Sequence, residues 1–216
     1  MKIAAAALGP FETNAYLVMA ETGRDCCVID APKDSGPVLL EEIRRRGLNL
    51  THLLITHGHW DHMCDGHLFA AAGAKVVAHE DDQQLLENIE AYRNRYRAMI
   101  PTLTDDDFRS VKVDRWVDDG DVVEACGYKF EIRHVPGHCP GSILFYAADQ
   151  KTAFTGDAIF KGSVGRTDLP NGDWNQLLTS IRSRIYTLPD DVRLLPGHGG
   201  DTTVGEEKRT NPYAKP

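Results

Sequence analysis

Short apolar runs separated by turn-forming residues alternate along the chain with stretches that carry a helical period, a pattern of strands interleaved with helices. Residues 14–18 and 26–29 are β-like and flank the turn-prone Glu21-Thr22-Gly23-Arg24, so they predict a hairpin ending at Asp30. Ser35-Gly36-Pro37 opens a helix with Leu39, Leu40 and Ile43 on one face; Arg44, Arg45 and Arg46 complement its negative end and Gly47 stops it. Leu53-Leu54-Ile55 predicts a strand, residues 65–72 a short helix, and residues 74–78 another strand. Between residues 80 and 100, Leu85, Leu86, Ile89, Tyr92, Tyr96 and Met99 recur with helical spacing until Pro101, which predicts one helix with acidic residues at its start and Arg93, Arg95 and Arg97 near its end.

After a polar, acidic stretch over residues 102–115, Asp118-Asp119-Gly120-Asp121 marks a turn between strand-like segments. In residues 128–134 Tyr128, Phe130, Ile132 and His134 share one face, which makes His134 a buried structural histidine. Residues 142–147, 152–154 and 192–195 predict three more strands. Asp173 with Gln176 starts a helix bearing Leu177, Leu178, Ile181, Ile185 and Leu188, and Thr203 with Glu206 starts a short final one. No repeat or low-complexity linker divides the chain, so residues 1–216 are expected to form a single domain.

The chemistry concentrates in Thr56-His57-Gly58-His59-Trp60-Asp61-His62, directly after the strand at Leu53-Leu54-Ile55. A helix would set His57 and His59 roughly 200° apart around its axis, whereas an extended chain turns them to the same side, so the motif predicts a strand ending in a loop. Neutral imidazoles and a carboxylate at this density suit a borderline-soft divalent cation such as zinc. A solvated surface loop has no reason to hold H-x-H-x-D-H order. Further donors stand downstream at strand ends: His138 in Pro136-Gly137-His138, Asp157 in Thr155-Gly156-Asp157, and His198 in Pro196-Gly197-His198. His52, His67 and His79 have no such setting; His79 is expected to cap or pack.

This arrangement of H-x-H-x-D-H followed by spaced His, Asp and His resembles the metallo-β-lactamase superfamily. The resemblance implies an α+β fold in which two sheets pack between outer helix layers, a four-layer αββα sandwich. It implies one metal held by His57, His59 and His138, a second held by Asp61, His62 and His198, and Asp157 bridging both, a role for which two carboxylate oxygens are suited. Asp61 would also orient the attacking water, as the catalytic carboxylate, and Asp30 would lie near the metals or serve only as a turn residue. Zinc is the expected ion, and iron or manganese suits the same donors.

A second stretch narrows the substrate. Phe160-Lys161-Gly162-Ser163-Val164-Gly165-Arg166-Thr167-Asp168 is similar to the glycine-rich loop of glyoxalase II enzymes and persulfide dioxygenases, in which the residue matching Arg166 receives the glycyl carboxylate of glutathione. An arginine fork suits a carboxylate through paired hydrogen bonds. The similarity runs from Asn14 to Pro212 and is greatest to the short bacterial type II glyoxalases; the C-terminal helical domain of the longer enzymes has no counterpart before Pro216. The implied reaction is hydrolysis of an S-(2-hydroxyacyl)glutathione such as S-lactoylglutathione. An iron-dependent persulfide dioxygenase shares the motifs, although Pro196-Gly197-His198-Gly199 resembles the hydrolases; a hydrolase of another ester or lactone is a further alternative, and a noncatalytic scaffold would be expected to have lost ligands.

Composition restricts partners. A net charge of −8 and a pI near 5.5 oppose nonspecific attraction to nucleic acid or an anionic membrane. No apolar segment approaches membrane-spanning length and the start lacks a secretory pattern, so a cytoplasmic protein is expected. Five cysteines, an odd number that includes the adjacent Cys26 and Cys27, are expected to be buried thiols rather than a disulfide framework.

Overall fold

Six strands form the first sheet in chain order: β1 (Lys2–Leu8), β2 (Thr13–Met19), β3 (Asp25–Ile29), β4 (Asn49–Leu54), β5 (Lys75–His79) and β6 (Arg115–Val117). The first three run antiparallel and the pairs from β3 to β6 are parallel. A second six-stranded sheet contains β7 (Val122–Ala125), β8 (Tyr128–His134), β9 (Ile143–Ala147), β10 (Thr152–Gly156), β13 (Arg193–Pro196) and β14 (Thr202–Thr203), in the order β14-β13-β10-β9-β8-β7; the short strands Ile159–Phe160 (β11) and Ser163–Val164 (β12) pair separately. This computed structural model describes residues 1–216.

Alternation along the central strands builds three apolar layers. On β2, Ala15, Leu17 and Met19 join a cluster with Leu39 and Ile43 of α1 (Ser35–Arg46), Trp60 and Met63 of α2 (Trp60–Met63) and Phe69 of α3 (Gly66–Ala71). Tyr16 and Val18, on the opposite face, meet Ile29, Leu54 and Val77 and the second sheet's Phe130, Ile132, Phe145 and Phe154. Leu144, Tyr146, Ala153 and Leu194 turn outward to Leu177 of α6 (Trp174–Ser180) and to Ile181 and Ile185. The result is the expected four-layer helix, sheet, sheet, helix sandwich. Because both faces of β2, β3, β9 and β10 are covered, nearly every residue of these strands is buried and the alternation of a half-exposed strand is absent.

One strand was not foreseen, and two local expectations need revision. The alanine-rich Lys2–Leu8 segment, which no β-branched pattern marks as a strand, is recruited as β1 by a full antiparallel register with β2. The stretch from 80 to 100 is not one helix. It breaks into a 3-10 turn (Glu80–Asp82), α4 (Gln83–Glu87), another 3-10 turn (Ile89–Tyr92) and α5 (Arg93–Met99), because the Val111 N–H takes the Leu86 carbonyl at 2.8 Å and so ends the α-helical ladder there. Leu86, Ile89 and Tyr96 are buried, whereas Met99 is 46% exposed. The metal motif, finally, is only partly loop: His59 is extended at φ −66° and ψ 143°, but Asp61 and His62 lie in the first turn of α2, which the Trp60 indole pins to the Asp107 carbonyl at 2.6 Å.

Elsewhere the local signals hold. α1 spans Ser35–Arg46 and ends at Gly47, whose φ of 63° suits a residue without a side chain. Asp173 caps α6 (Trp174–Ser180) by accepting from the Gln176 N–H, and Thr203 does the same for Glu206 at the start of α7 (Val204–Thr210). All five cysteines are buried and unpaired by disulfides.

Candidate metal centre

Separate strand ends deliver the donors. His57 follows β4, His138 lies in the connection between β8 and β9, Asp157 follows β10, and His198 follows β13. The two sheets are tied at this edge by the Ile143 N–H donating to the Thr56 carbonyl at 2.9 Å and by a bridge between Thr13 and His198. Donors carried on strands of two packed sheets are held by the core rather than by their loops.

The structure brings all seven sequence-derived donors together. His57 Nε2, His59 Nδ1 and His138 Nε2 form a triangle with edges of 3.1, 2.9 and 3.2 Å. A cation at about 2.0–2.1 Å from each nitrogen requires edges of roughly 2.8–3.4 Å for octahedral to tetrahedral ligation, so the triangle fits one face of such a polyhedron. A second cluster lies beside it: Asp61 Oδ2 is 3.6 Å from His62 Nε2 and 3.4 Å from His198 Nε2. Between the clusters, Asp157 Oδ2 lies 3.7 Å from His138 Nε2 and 3.4 Å from His198 Nε2, while its Oδ1 lies 3.3 Å from His62 Nε2. His62 Nε2 and Asp157 Oδ1 are buried and have no hydrogen-bond partner. Orphaned buried donors of this kind, converging from both sides, fit a pair of divalent cations.

Hydrogen bonds behind the donors fix which ring nitrogen faces inward. His138 Nδ1 donates to the Arg166 carbonyl at 2.7 Å, His198 Nδ1 to the Phe11 carbonyl at 3.0 Å, and His62 Nδ1 to Asp30 Oδ2 at 2.8 Å. Asp30 also accepts from the Thr56 N–H and hydroxyl, both at 2.8 Å, so it supports the motif rather than simply ending a turn. Thr13 donates its hydroxyl to Asp61 Oδ2 at 2.9 Å. Glycine is required where these elements meet: a Cβ on Gly197 would run into Asp157 Oδ1 and the His62 ring, and one on Gly165 into the Asp157 carbonyl.

The two halves differ electrostatically in the absence of cations. Burial holds His57 well below the ordinary histidine range and takes His59 down to about 3, with neighbouring rings adding to the effect, so both are neutral. Burial would also lower His62, but Asp157, Asp30 and Asp61 outweigh it and raise this ring well above its usual value. At His198 burial is outweighed by hydrogen bonds to Asp157 and Asp61, and the ring rises to about 9. Asp61, despite burial, is held down at about 2 by His62 and His198.

A cleft of about 210 Å³ opens onto the donors, lined by His59, Asp61, His138, Asp157 and His198 and walled by Phe11, Tyr96, Met99 and Leu169, with Arg166 at its edge. Arg166 is exposed, and its guanidinium is already engaged by Asp168 through two hydrogen bonds of 2.7 Å. The wall residues were invisible as site residues in sequence: Tyr96 and Met99 carry the same helical spacing as their core neighbours, and Phe11 has no motif.

His79, Asp118 and His134 form another cluster of metal-capable groups, but its geometry serves packing. His79 Nδ1 accepts from the Asp81 N–H at 3.1 Å, which places the neutral ring's proton on Nε2, and the two rings stack at 4.1 Å and 15°, so their in-plane lone pairs cannot converge on one ion. His79 therefore both caps and packs, as expected. His134 is half-buried rather than buried; its Nε2 donates to the Pro140 carbonyl at 2.7 Å and lies 3.9 Å from the exposed Asp81.

Residues 8–198 match the metallo-beta-lactamase superfamily. The chain belongs to that superfamily. This superfamily member is 37% identical over 206 residues to the hydroxyacylglutathione hydrolase GloC of Haemophilus influenzae, covering 94% of this chain and 93% of that one. Among solved structures it resembles BLEG-1, a B3 metallo-beta-lactamase, at a TM-score of 0.87 and 29% identity with all of both chains covered. It also resembles TTHA1623, solved in a di-iron-bound form, at a TM-score of 0.82 and 36% identity, covering 97% of this chain and 99% of that one.

Proposed function

We propose that this metallo-beta-lactamase superfamily member is a binuclear hydrolase of glutathione thioesters, with S-(2-hydroxyacyl)glutathiones such as S-lactoylglutathione as its substrate class. The observation that carries this reading is the three-nitrogen triangle joined through Asp157 to the Asp61, His62 and His198 cluster, and the relative named as a hydroxyacylglutathione hydrolase supports the choice of thioester. His57, His59 and His138 would hold one ion and Asp61, His62 and His198 the other, with Asp157 lying between the two sets. Zinc is the proposed metal; the di-iron form of TTHA1623 makes iron the alternative to test first.

Two divalent ions bound there would supply a water that ionises near neutral pH and a Lewis-acidic contact for a carbonyl oxygen. Asp61, which lines the cleft, would orient the attacking water through its carboxylate, which Thr13 holds by donating its hydroxyl to Oδ2. Phe11, Tyr96, Met99 and Leu169 exclude solvent from the acyl side, and Arg166 at the rim receives the glycyl carboxylate once Asp168 yields one of its hydrogen bonds. The leaving thiol has a pKa of about 8.5, so no side chain is needed to protonate it. The protein works as a cytoplasmic enzyme on this small acidic substrate, without nucleic-acid or membrane partners.

The test is direct. Protein loaded with two equivalents of zinc, and separately of iron, is assayed for release of free thiol from S-lactoylglutathione and for oxygen uptake with glutathione persulfide. Metal-dependent thiol release is the expected result; brisk oxygen uptake without thioester cleavage would overturn the proposal in favour of a dioxygenase.

A further inference from the structure

Asp82 was read in sequence only as part of an acidic helix start, yet it is 1% exposed and lies between two ligand-bearing loops. Its Oδ2 accepts the Gly58 N–H at 2.7 Å. Its Oδ1 accepts the Gly141 N–H at 2.8 Å and the Cys139 thiol at 3.0 Å. Gly58 stands between His57 and His59, and Cys139 follows His138 directly, so one carboxylate grips both sides of the three-nitrogen triangle. We infer that Asp82 is a positioning residue that clamps the His57–His59 loop to the His138 loop and thereby sets the metal affinity of the three-nitrogen site.

Two of the triangle's edges, 2.9 Å from His59 to His138 and 3.2 Å from His57 to His138, span the gap between those loops. Nothing in the local sequence of either loop fixes that gap. The glycines show how closely the clamp fits: a Cβ on Gly141 would lie 2.6 Å from the Asp82 carboxyl carbon, and one on Gly58 would lie 3.0 Å from Asp82 Cβ and 2.8 Å from Leu85 Cβ. Three donors on two oxygens also satisfy buried polar atoms that would otherwise be costly to bury. By contrast, the groups supporting the other cluster are Asp30, Thr13 and the Phe11 carbonyl, none of which bonds to Asp82. The clamp therefore acts on one of the two donor sets.

This inference rests on the proposal that the three nitrogens hold a metal. Crystals of the wild type, Asp82→Ala, Asp82→Asn and Cys139→Ala are equilibrated at graded buffered zinc concentrations, and occupancy at each site is read from anomalous scattering, without substrate. Asp82→Ala is expected to require about 10–100-fold more zinc to fill the three-nitrogen site, the range seen when supporting partners of metal ligands are removed. Asp82→Asn, which turns a donor toward either Gly58 or Gly141, shifts in the same direction; Cys139→Ala, which keeps both amide bonds, shifts little. The Asp61, His62 and His198 site keeps its wild-type affinity in all three. Equal losses at both sites, no loss at either, or failure of Asp82→Asn to fold would overturn the clamp. An empty three-nitrogen site in the zinc-saturated wild type would instead overturn the metal assignment beneath it.

Discussion

The Nδ1–H of His62 donates to Asp30 Oδ2 at 2.8 Å, and the opposite nitrogen of the same ring points toward Asp157. Because Asp30 is also bonded twice by Thr56, it connects β3, the end of β4 and α2 through one carboxylate. Asp30→Ala is expected to lower zinc affinity about 10–100-fold, chiefly at the Asp61, His62 and His198 site, and to destabilise the protein by about 3–5 kcal/mol by stranding buried partners. Zinc competition with a chelator and urea unfolding of the metal-free protein measure the two effects separately.

Metal uptake should release protons. At pH 7 in the cation-free protein His62 and His198 hold protons, whereas His57 and His59 do not, so filling the carboxylate-rich cluster displaces protons and filling the triangle draws on neutral rings. Calorimetric zinc titrations in buffers of different ionisation enthalpy detect this. Affinity at the proton-bearing cluster rises as pH climbs toward about 9, the raised value of His198.

The same group gives the cation-free protein a pH-dependent stability. The folded-state value of His198, about 9, lies above its ordinary 6.5, so its contribution is fully present below about pH 6.5 and is lost as pH rises toward 9. Thermal melts of chelator-treated protein should show a falling contribution across that window, and zinc loading should remove it, since the ring is then neutral at every pH tested.

Gly197→Ala places a methyl group against Asp157 Oδ1 and the His62 ring. The variant is expected to fold, because Gly197 lies at the sheet's edge beyond β13, but to retain less than one equivalent of its bridging metal pair and to lose about 100-fold or more in kcat. Metal analysis of the purified variant beside its circular dichroism spectrum checks both halves.

Arg166 and Asp168 make opposite predictions for substrate binding. Arg166→Ala should raise KM for a glutathione thioester about tenfold or more while leaving KM for a simple thioester without the glycyl carboxylate nearly unchanged. Asp168→Ala removes the competing carboxylate from the guanidinium and should lower KM for the glutathione thioester. Parallel changes with both substrates would remove this pair from recognition.

Local sequence was sufficient for features whose cause is local. The spacing of His57, His59, Asp61 and His62, the glycine after α1, and the capping residues of α6 and α7 act within a few residues, and the donors at His138, Asp157 and His198 were legible because each follows a strand-like run. Chain folding alone decided what depends on partners distant in sequence. β1 exists because β2 pairs with it, and the stretch from 80 to 100 breaks because Val111 claims the Leu86 carbonyl. Asp82 and Asp30 gain their roles from amides and rings brought in by other elements. Hydrogen bonds and burial are properties of juxtaposed groups, so periodicity can name the donors, but only the packing of two sheets determines which nitrogen each presents and what holds it there.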